Sequence, residues 1–164
     1  MNFLNTYQGR YSMSSGRDST NGCTVIAPLI GYRHIKTPGA RLPNSHIEHV
    51  IDNDCPPILS RIRAKHSLGP GAFIVPADVH DYLYDEGLMD PNIFGGVFGG
   101  SVLDEEHMDP LFDTLEAFPP NEGACAAFFF HEHVTAVLKS REGYEFVDSL
   151  PYPPRGMGVR IRCG

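Results

Sequence analysis

Residues 128–139 and 144–150 are two runs rich in β-branched and aromatic side chains, separated by Ser140-Arg141-Glu142-Gly143. A short polar connection containing glycine between such runs predicts an antiparallel hairpin. Strand signals begin at Ala124 and resume, after the rigid Pro151-Tyr152-Pro153-Pro154 loop, in the alternating Val159-Arg160-Ile161-Arg162. Most of the preceding chain reads as helix and loop. Helices first and sheet afterwards predict an α+β fold rather than a repeating βαβ one. A length of 164 residues suits one domain, residues 1–164, with residues 1–20 as an N-terminal arm, extended or folded as a short hairpin.

Within the helical part, a cap at Asn21 or Thr20 places Cys23, Ile26, Ala27 and Ile30 on one face. Pro28 removes a backbone donor inside that helix, which predicts a short, bent or kinked element. Asn44 or Ser45 caps a short helix through His46, Ile47, Val50 and Ile51. A second helix is expected over residues 56–66, with Ile58, Leu59 and Ile62 on one side. Phe73-Ile74-Val75 reads as a short strand, residues 78–84 as a helix closed near Gly87, and residues 107–118 as another. The glycine-rich stretch 93–103 lacks the Gly-Lys-Ser/Thr of a phosphate-binding loop and reads as a loop leading into a strand at 101–103.

A net charge of −7 argues against a surface that tracks a nucleic-acid backbone. The one compact basic cluster, Arg61-Ile62-Arg63-Ala64-Lys65, has the spacing of the solvated side of a helix. No stretch approaches the roughly 20 apolar residues of a membrane span, and the beginning lacks a secretory signal pattern. Cys23, Cys55, Cys125 and Cys163 are scattered, with no C-x-x-C pair. Free thiols in a reducing cytoplasm or nucleus are therefore expected.

The chemistry-bearing residues are Cys23, His133 and Asp148. A thiol at a helix start meets the positive end of the helix dipole, which favours thiolate. His133 heads the alternation Val134, Ala136, Leu138, and Asp148 follows the strand run Tyr144-Glu145-Phe146-Val147. A carboxylate holding one imidazole nitrogen leaves the other to serve a thiol as base; capping of the turn at Ser149 is the alternative for Asp148. His131 is the fallback base. His131 and His133 form a His-x-His pair, yet no motif-spaced further ligand suggests a metal. Cys125, among alanines, reads as core. The oxyanion formed by thiol attack needs preorganised donors, for which the Cys23 amide and the side chains of Asn21 or Gln8 are candidates.

Asn21-Gly22-Cys23, His133-Val134-Thr135-Ala136-Val137-Leu138 and Phe146-Val147-Asp148-Ser149-Leu150 resemble papain-like cysteine peptidases, among them compact deubiquitinases such as the Josephin and MINDY families. The similarity covers residues 19–30 and 128–150. It implies a papain-like fold, with a nucleophile-bearing helix packed on a C-terminal antiparallel sheet. It also implies a cofactor-free thiol hydrolase cleaving a peptide or isopeptide bond of ubiquitin or a ubiquitin-like modifier. Cys23 would be the nucleophile, His133 the general base and acid, and Asp148 the orienter. Many such enzymes carry a glutamine six residues before the nucleophile; here that position is Arg17, so Asn21 or Gln8 takes its place in the expectation. The same triad with an amine acceptor would give transglutaminase or acyltransferase chemistry. A catalytically silent interaction module is the reading from another class.

Overall fold

The structure, a computed structural model, describes residues 1–37, 41–90, 92, 104–119 and 122–163. An antiparallel sheet of five strands joins one N-terminal strand, β1 (Asn2–Phe3), to four C-terminal ones, β2 (Ala124–Phe130), β3 (His133–Ser140), β4 (Gly143–Tyr152) and β5 (Met157–Cys163). They lie in the order β1-β5-β4-β3-β2. Helices α1 (Cys23–Ile35), α2 (Asn44–His49), α3 (Cys55–Lys65), α4 (Pro76–Asp85) and α5 (Glu105–Glu116) complete the fold. The architecture is α+β, with helices packed on an antiparallel sheet.

The hairpin between β3 and β4 forms across Arg141-Glu142, with Ser140 opposite Gly143 and Ala136 opposite Val147. A second hairpin was hidden in the sequence. Residues 128–139, read as one strand run, fold back at His131-Glu132, so that Phe130 pairs with His133 and Ala124 with Lys139. Both turn residues have positive φ, 50° and 58°. Two-residue hairpin turns need that conformation and usually take Asn-Gly to reach it; His-Glu carries no such signal.

Helix α1 packs against β2 and β3. Val25, Ile26 and Ile30 meet Val134, Ala136, Leu138 and Val147 in the main core. The helix runs on through Pro28 as a single 13-residue element rather than a short one, because the burial of its apolar face outweighs one missing backbone bond. Gly31 permits the close approach: a Cβ there would lie 2.5 Å from Cys125 Sγ. The two helices expected over residues 44–66 are continuous, joined by a π-helical turn at Val50–Asp54. Pro56 and Pro57 cannot donate to the preceding turn, and the wider turn accommodates them without ending the helix.

Residues 73–75 are not a strand; buried Ile74 anchors an irregular loop instead. The strand expected at 101–103 lies outside the described residues. The N-terminal arm is tied to the sheet. Asn2 pairs with Arg160 and Phe3 with Val159, and the Leu4 amide donates to Gly158 O and the Gln8 amide to Ser149 O. Arg63 does not lie on a solvated helix face as its cluster suggested. It is buried and donates to the carbonyls of Thr20 (2.7 Å) and Ala72 (3.0 Å). Among the described residues, no helix is long and apolar enough to cross a membrane.

Candidate functional site

The N-terminus of α1, the tip of the β2–β3 hairpin and the far end of β4 bring Cys23, His133 and Asp148 together. Gly22, not Asn21 or Thr20, occupies the cap position, and no side chain caps the helix. Cys23 is therefore the first helical residue, where backbone N–H groups lack intrahelical partners. Its side chain is buried at 2% exposure. Gly22 is confined from three sides: a Cβ there would meet Ser19 O at 2.7 Å, Leu59 Cδ1 at 2.9 Å and Cys55 Sγ at 3.0 Å.

His133 Nε2 lies 2.7 Å from Asp148 Oδ1. With that nitrogen engaged, Nδ1 is the one left for the thiol. The Asp148 hydrogen bond, followed by hydrogen bonding to the Cys23 side chain, raises the imidazole pKa to about 9 against the lowering by burial. The ring is thus an imidazolium at neutral pH. Burial alone would raise Asp148. Hydrogen bonds from His133, the Leu150 amide and Tyr152, with the charge of His133, outweigh it and hold the carboxyl below the usual carboxylate range. Leu150 N donates to Oδ1 at 3.0 Å and Tyr152 Oη to Oδ2 at 2.9 Å. Asp148 thus makes the contacts of both alternatives weighed for it, one with the His133 ring and one with the Leu150 amide at its own turn.

The two side chains considered for an oxyanion donor have different surroundings. Asn21, at φ 54°, donates its Nδ2 to Gly71 O at 2.7 Å, so its amide secures the 69–73 loop. Gln8 accepts from Ser149 Oγ at 2.9 Å through Oε1, which fixes the carboxamide by its carbonyl end and leaves the N–H end for another partner. Gly9 N donates to Ser19 Oγ at 3.0 Å, so the chain around Gln8 rests directly against the segment leading to Cys23. Ten residues of sequence are thereby closed into a short spatial link.

His131 sits apart from this constellation, exposed in the hairpin turn with its ring against Phe130 at 4.1 Å. Among the described residues, no group of three or more His, Cys, Asp and Glu could hold a metal ion. All four cysteines are free. Cys125 packs against the core, and burial pushes its pKa up to about 11; burial likewise raises Cys55. For Cys55 that burial outweighs the lowering by the Arg63 charge, and for Cys125 burial is the cause of the shift, so both thiols are held in the neutral form.

Sequence reasoning missed Tyr152, Ser149, Ser19 and Arg63. Tyr152 follows Asp148 by four residues, and the bend of β4 that joins them is an irregularity in register between Asp148 and Tyr152, which residue types do not announce. Arg63 braces the backbone at Thr20 and Ala72 on either side of the lead-in to Cys23. Its place four residues after the apolar Leu59, on the same side of the helix, was the available signal.

No protein-family model matches this chain, and no similar curated protein or solved structure is found.

Proposed function

We propose that the protein is a papain-like thiol hydrolase that cleaves a peptide or isopeptide bond with Cys23, His133 and Asp148. The observation that carries this reading is the imidazole of His133, held by Asp148 at one nitrogen and interacting with the Cys23 side chain. A cationic ring beside a sulfur at a helix N-terminus stabilises negative charge on that sulfur. The thiolate attacks the scissile carbonyl and forms a C–S bond, and the carbonyl electrons move to oxygen. Collapse of this intermediate breaks the C–N bond, and His133 gives its proton to the departing amine. Neutral His133 then takes a proton from water, the hydroxide attacks the thioester, and collapse breaks the C–S bond to release a carboxylic acid and the Cys23 thiolate beside protonated His133.

The oxyanion is assigned the Cys23 amide and the Gln8 side chain, because Gln8 is aimed by Ser149 while Asn21 is occupied by Gly71. Ubiquitin or a ubiquitin-like modifier is the proposed acyl donor, resting on the sequence resemblance. The test is labelling of the purified chain by a ubiquitin C-terminal electrophile. Stoichiometric adduct on Cys23, absent in Cys23→Ala and strongly slowed in His133→Ala, is expected. A folded protein that reacts with no ubiquitin-like probe would remove the modifier assignment. A Cys23 no faster than an ordinary thiol toward iodoacetamide would remove the enzyme reading altogether. Product analysis with added amine distinguishes hydrolysis from acyl transfer.

A further inference from the structure

The second half of α1 carries a stripe that the Cys23 constellation does not use. Leu29, Tyr32, Arg33 and Lys36 recur at i, i+3, i+4 and i+7, so they run along one side of the helix. Pro57, Ile58 and Arg61 of α3 face them, and the two helices enclose an open groove of about 500 Å³ that Leu88 also lines. At the α-helical rise, Lys36 stands about 20 Å along α1 from Cys23. The groove is therefore a separate surface from the thiol.

Part of its polar lining is already satisfied. Arg33 Nη2 donates to Asp54 Oδ2 at 2.8 Å, and His49 Nε2 lies 3.2 Å from Asp54 Oδ1. Asn53 Nδ2 donates to His49 Nδ1 at 2.9 Å, which leaves the ring proton on Nε2, aimed at Asp54. This chain of contacts fixes Arg33 and ties the π-helical turn to α1. Two cations are left over. Lys36 Nζ stands over the Tyr32 ring, 5.2 Å from its centroid. Arg61 has no hydrogen bond, ion pair or ring contact among the described residues. The basic cluster at 61–65 thus divides three ways: Arg63 turns inward to backbone carbonyls, Lys65 covers the Tyr82 ring, and Arg61 is presented to the groove.

Two cations without a carboxylate, beside an apolar wall of Leu29, Tyr32 and Ile58, call for a ligand that is both anionic and apolar. On a chain of net charge −7 such a place is exceptional. A site for a small molecule encloses most of its ligand, whereas here Lys36, Pro57, Arg61 and Leu88 are exposed and the groove lies open along its length. That shape suits a segment of polypeptide.

We propose that this groove binds an acidic segment of a protein partner in which an aliphatic side chain is flanked by carboxylates. The aliphatic group packs on Leu29, Tyr32 and Leu88, and the carboxylates pair with Lys36 and Arg61. The proposal does not depend on the hydrolase reading. Each exposed ion pair contributes up to about fivefold in affinity, and burial of one leucine side chain about tenfold.

The experiment titrates the ¹⁵N-labelled full chain with acetyl-Glu-Asp-Leu-Asp-Glu-amide and follows backbone amide shifts. Parallel titrations use acetyl-Gln-Asn-Leu-Asn-Gln-amide, acetyl-Glu-Asp-Ser-Asp-Glu-amide and inorganic phosphate. The acidic leucine peptide is expected to bind at least about tenfold more tightly than each of the three, with shifts concentrated at Tyr32, Asn53, Arg61 and Leu88. Arg61→Glu should weaken it about tenfold or more, and Lys36→Glu similarly. Both side chains are exposed, so either variant keeps the test valid should the other fail to fold. Equal affinity for the acidic and neutral leucine peptides overturns the proposal, as do shifts lying outside the groove. Phosphate that matches the peptide in affinity and in shift pattern overturns the polypeptide assignment. Self-association lost in Arg61→Glu, with no response to the peptide, also overturns it and assigns the groove to contact between copies. No arm uses the thiol, so an inert Cys23 beside a groove that selects the acidic leucine peptide supports the proposal while removing the hydrolase reading.

Discussion

Asp148 grips His133 Nε2 with one carboxylate oxygen, at 2.7 Å, and receives Tyr152 Oη with the other, at 2.9 Å. One carboxylate thereby fixes the imidazole's orientation and is itself fixed. The hydrogen bond to Asp148 is the largest cause of the raised His133 pKa, so Asp148→Asn should move the ring titration down from about 9 toward the ordinary histidine range. Histidine ring resonances followed by NMR between pH 5 and 10.5 (about, to bracket both states) check this directly. Turnover should fall by about a hundredfold or more through loss of ring orientation. Tyr152→Phe should lower turnover far less. An unchanged His133 midpoint in Asp148→Asn would dismiss the carboxylate as its cause.

Folding stability should carry the same signature. The His133 pKa is about 9 in the folded chain and 6.5 as its ordinary value. The folded state thus binds the proton more tightly. Its stabilisation is fully present below the ordinary value and is lost as pH rises through about 9. Urea unfolding should give a stability lower by on the order of 1–3 kcal/mol above that range than near pH 6, with His133→Gln flattening the difference. A wild-type stability that rises over this interval contradicts the assignment.

Gln8 and Asn21 should separate kinetically. Removal of an oxyanion donor lowers the chemical step by about 10²–10³-fold and spares ground-state binding. Gln8→Ala is therefore expected to reduce kcat with little change in KM. Asn21→Ala should act through the Gly71 loop, raising KM and leaving most of kcat. Single-turnover kinetics on a peptide amide measure both, and the reverse pattern would exchange the two roles.

The β3–β4 hairpin and the amphipathic helices were legible because periodicity and a glycine-containing turn report them locally. The meeting of Cys23, His133 and Asp148 was foreseeable from residue type and from the strands that carry the last two. The hairpin at His131-Glu132 was not legible, since its turn defies the usual residue preference and the flanking Phe128–Phe130 and His133–Leu138 runs merge into one apolar signal. Nor was the continuity of residues 44–65, where two prolines mimic a helix start. The position of Gln8 depends on Ser149, 141 residues away, and no local pattern carries a contact of that separation. Arg63 shows the remaining difficulty: a basic cluster signals charge, whereas the carbonyls at Thr20 and Ala72 that draw one arginine inward are set by tertiary structure.

Gly22 should tolerate no side chain. A Cβ meets a backbone oxygen at 2.7 Å as well as two core side chains, and the oxygen cannot yield without moving the turn that delivers Cys23. Gly22→Ala is expected to cost about 1–3 kcal/mol and to slow Cys23 alkylation by displacing the thiol from His133. Gly16→Ala is a useful contrast, because no atom lies within 4 Å of its Cβ position and only its φ of 75° opposes the change. Thermal unfolding and iodoacetamide rates on both variants test the distinction. Equal labelling rates for Gly22→Ala and wild type would show that the backbone there does not set the nucleophile.

The strained turn offers the complementary change. His131 and Glu132 hold φ values of 50° and 58°, a region that asparagine and glycine enter at lower cost. Replacing the pair by Asn-Gly should stabilise the fold by about 1 kcal/mol, provided that nothing in the native contacts depends on the two side chains. His131 touches the Phe130 ring, so part of the gain is offset by that lost packing. The Cys23–His133 pair should be unaffected, since the ring of His131 lies against Phe130 instead, and iodoacetamide labelling of Cys23 should match wild type. Denaturant titration of the double variant decides the matter: a loss of stability would mean that the His131 and Glu132 side chains hold the tip more strongly than its backbone opposes them.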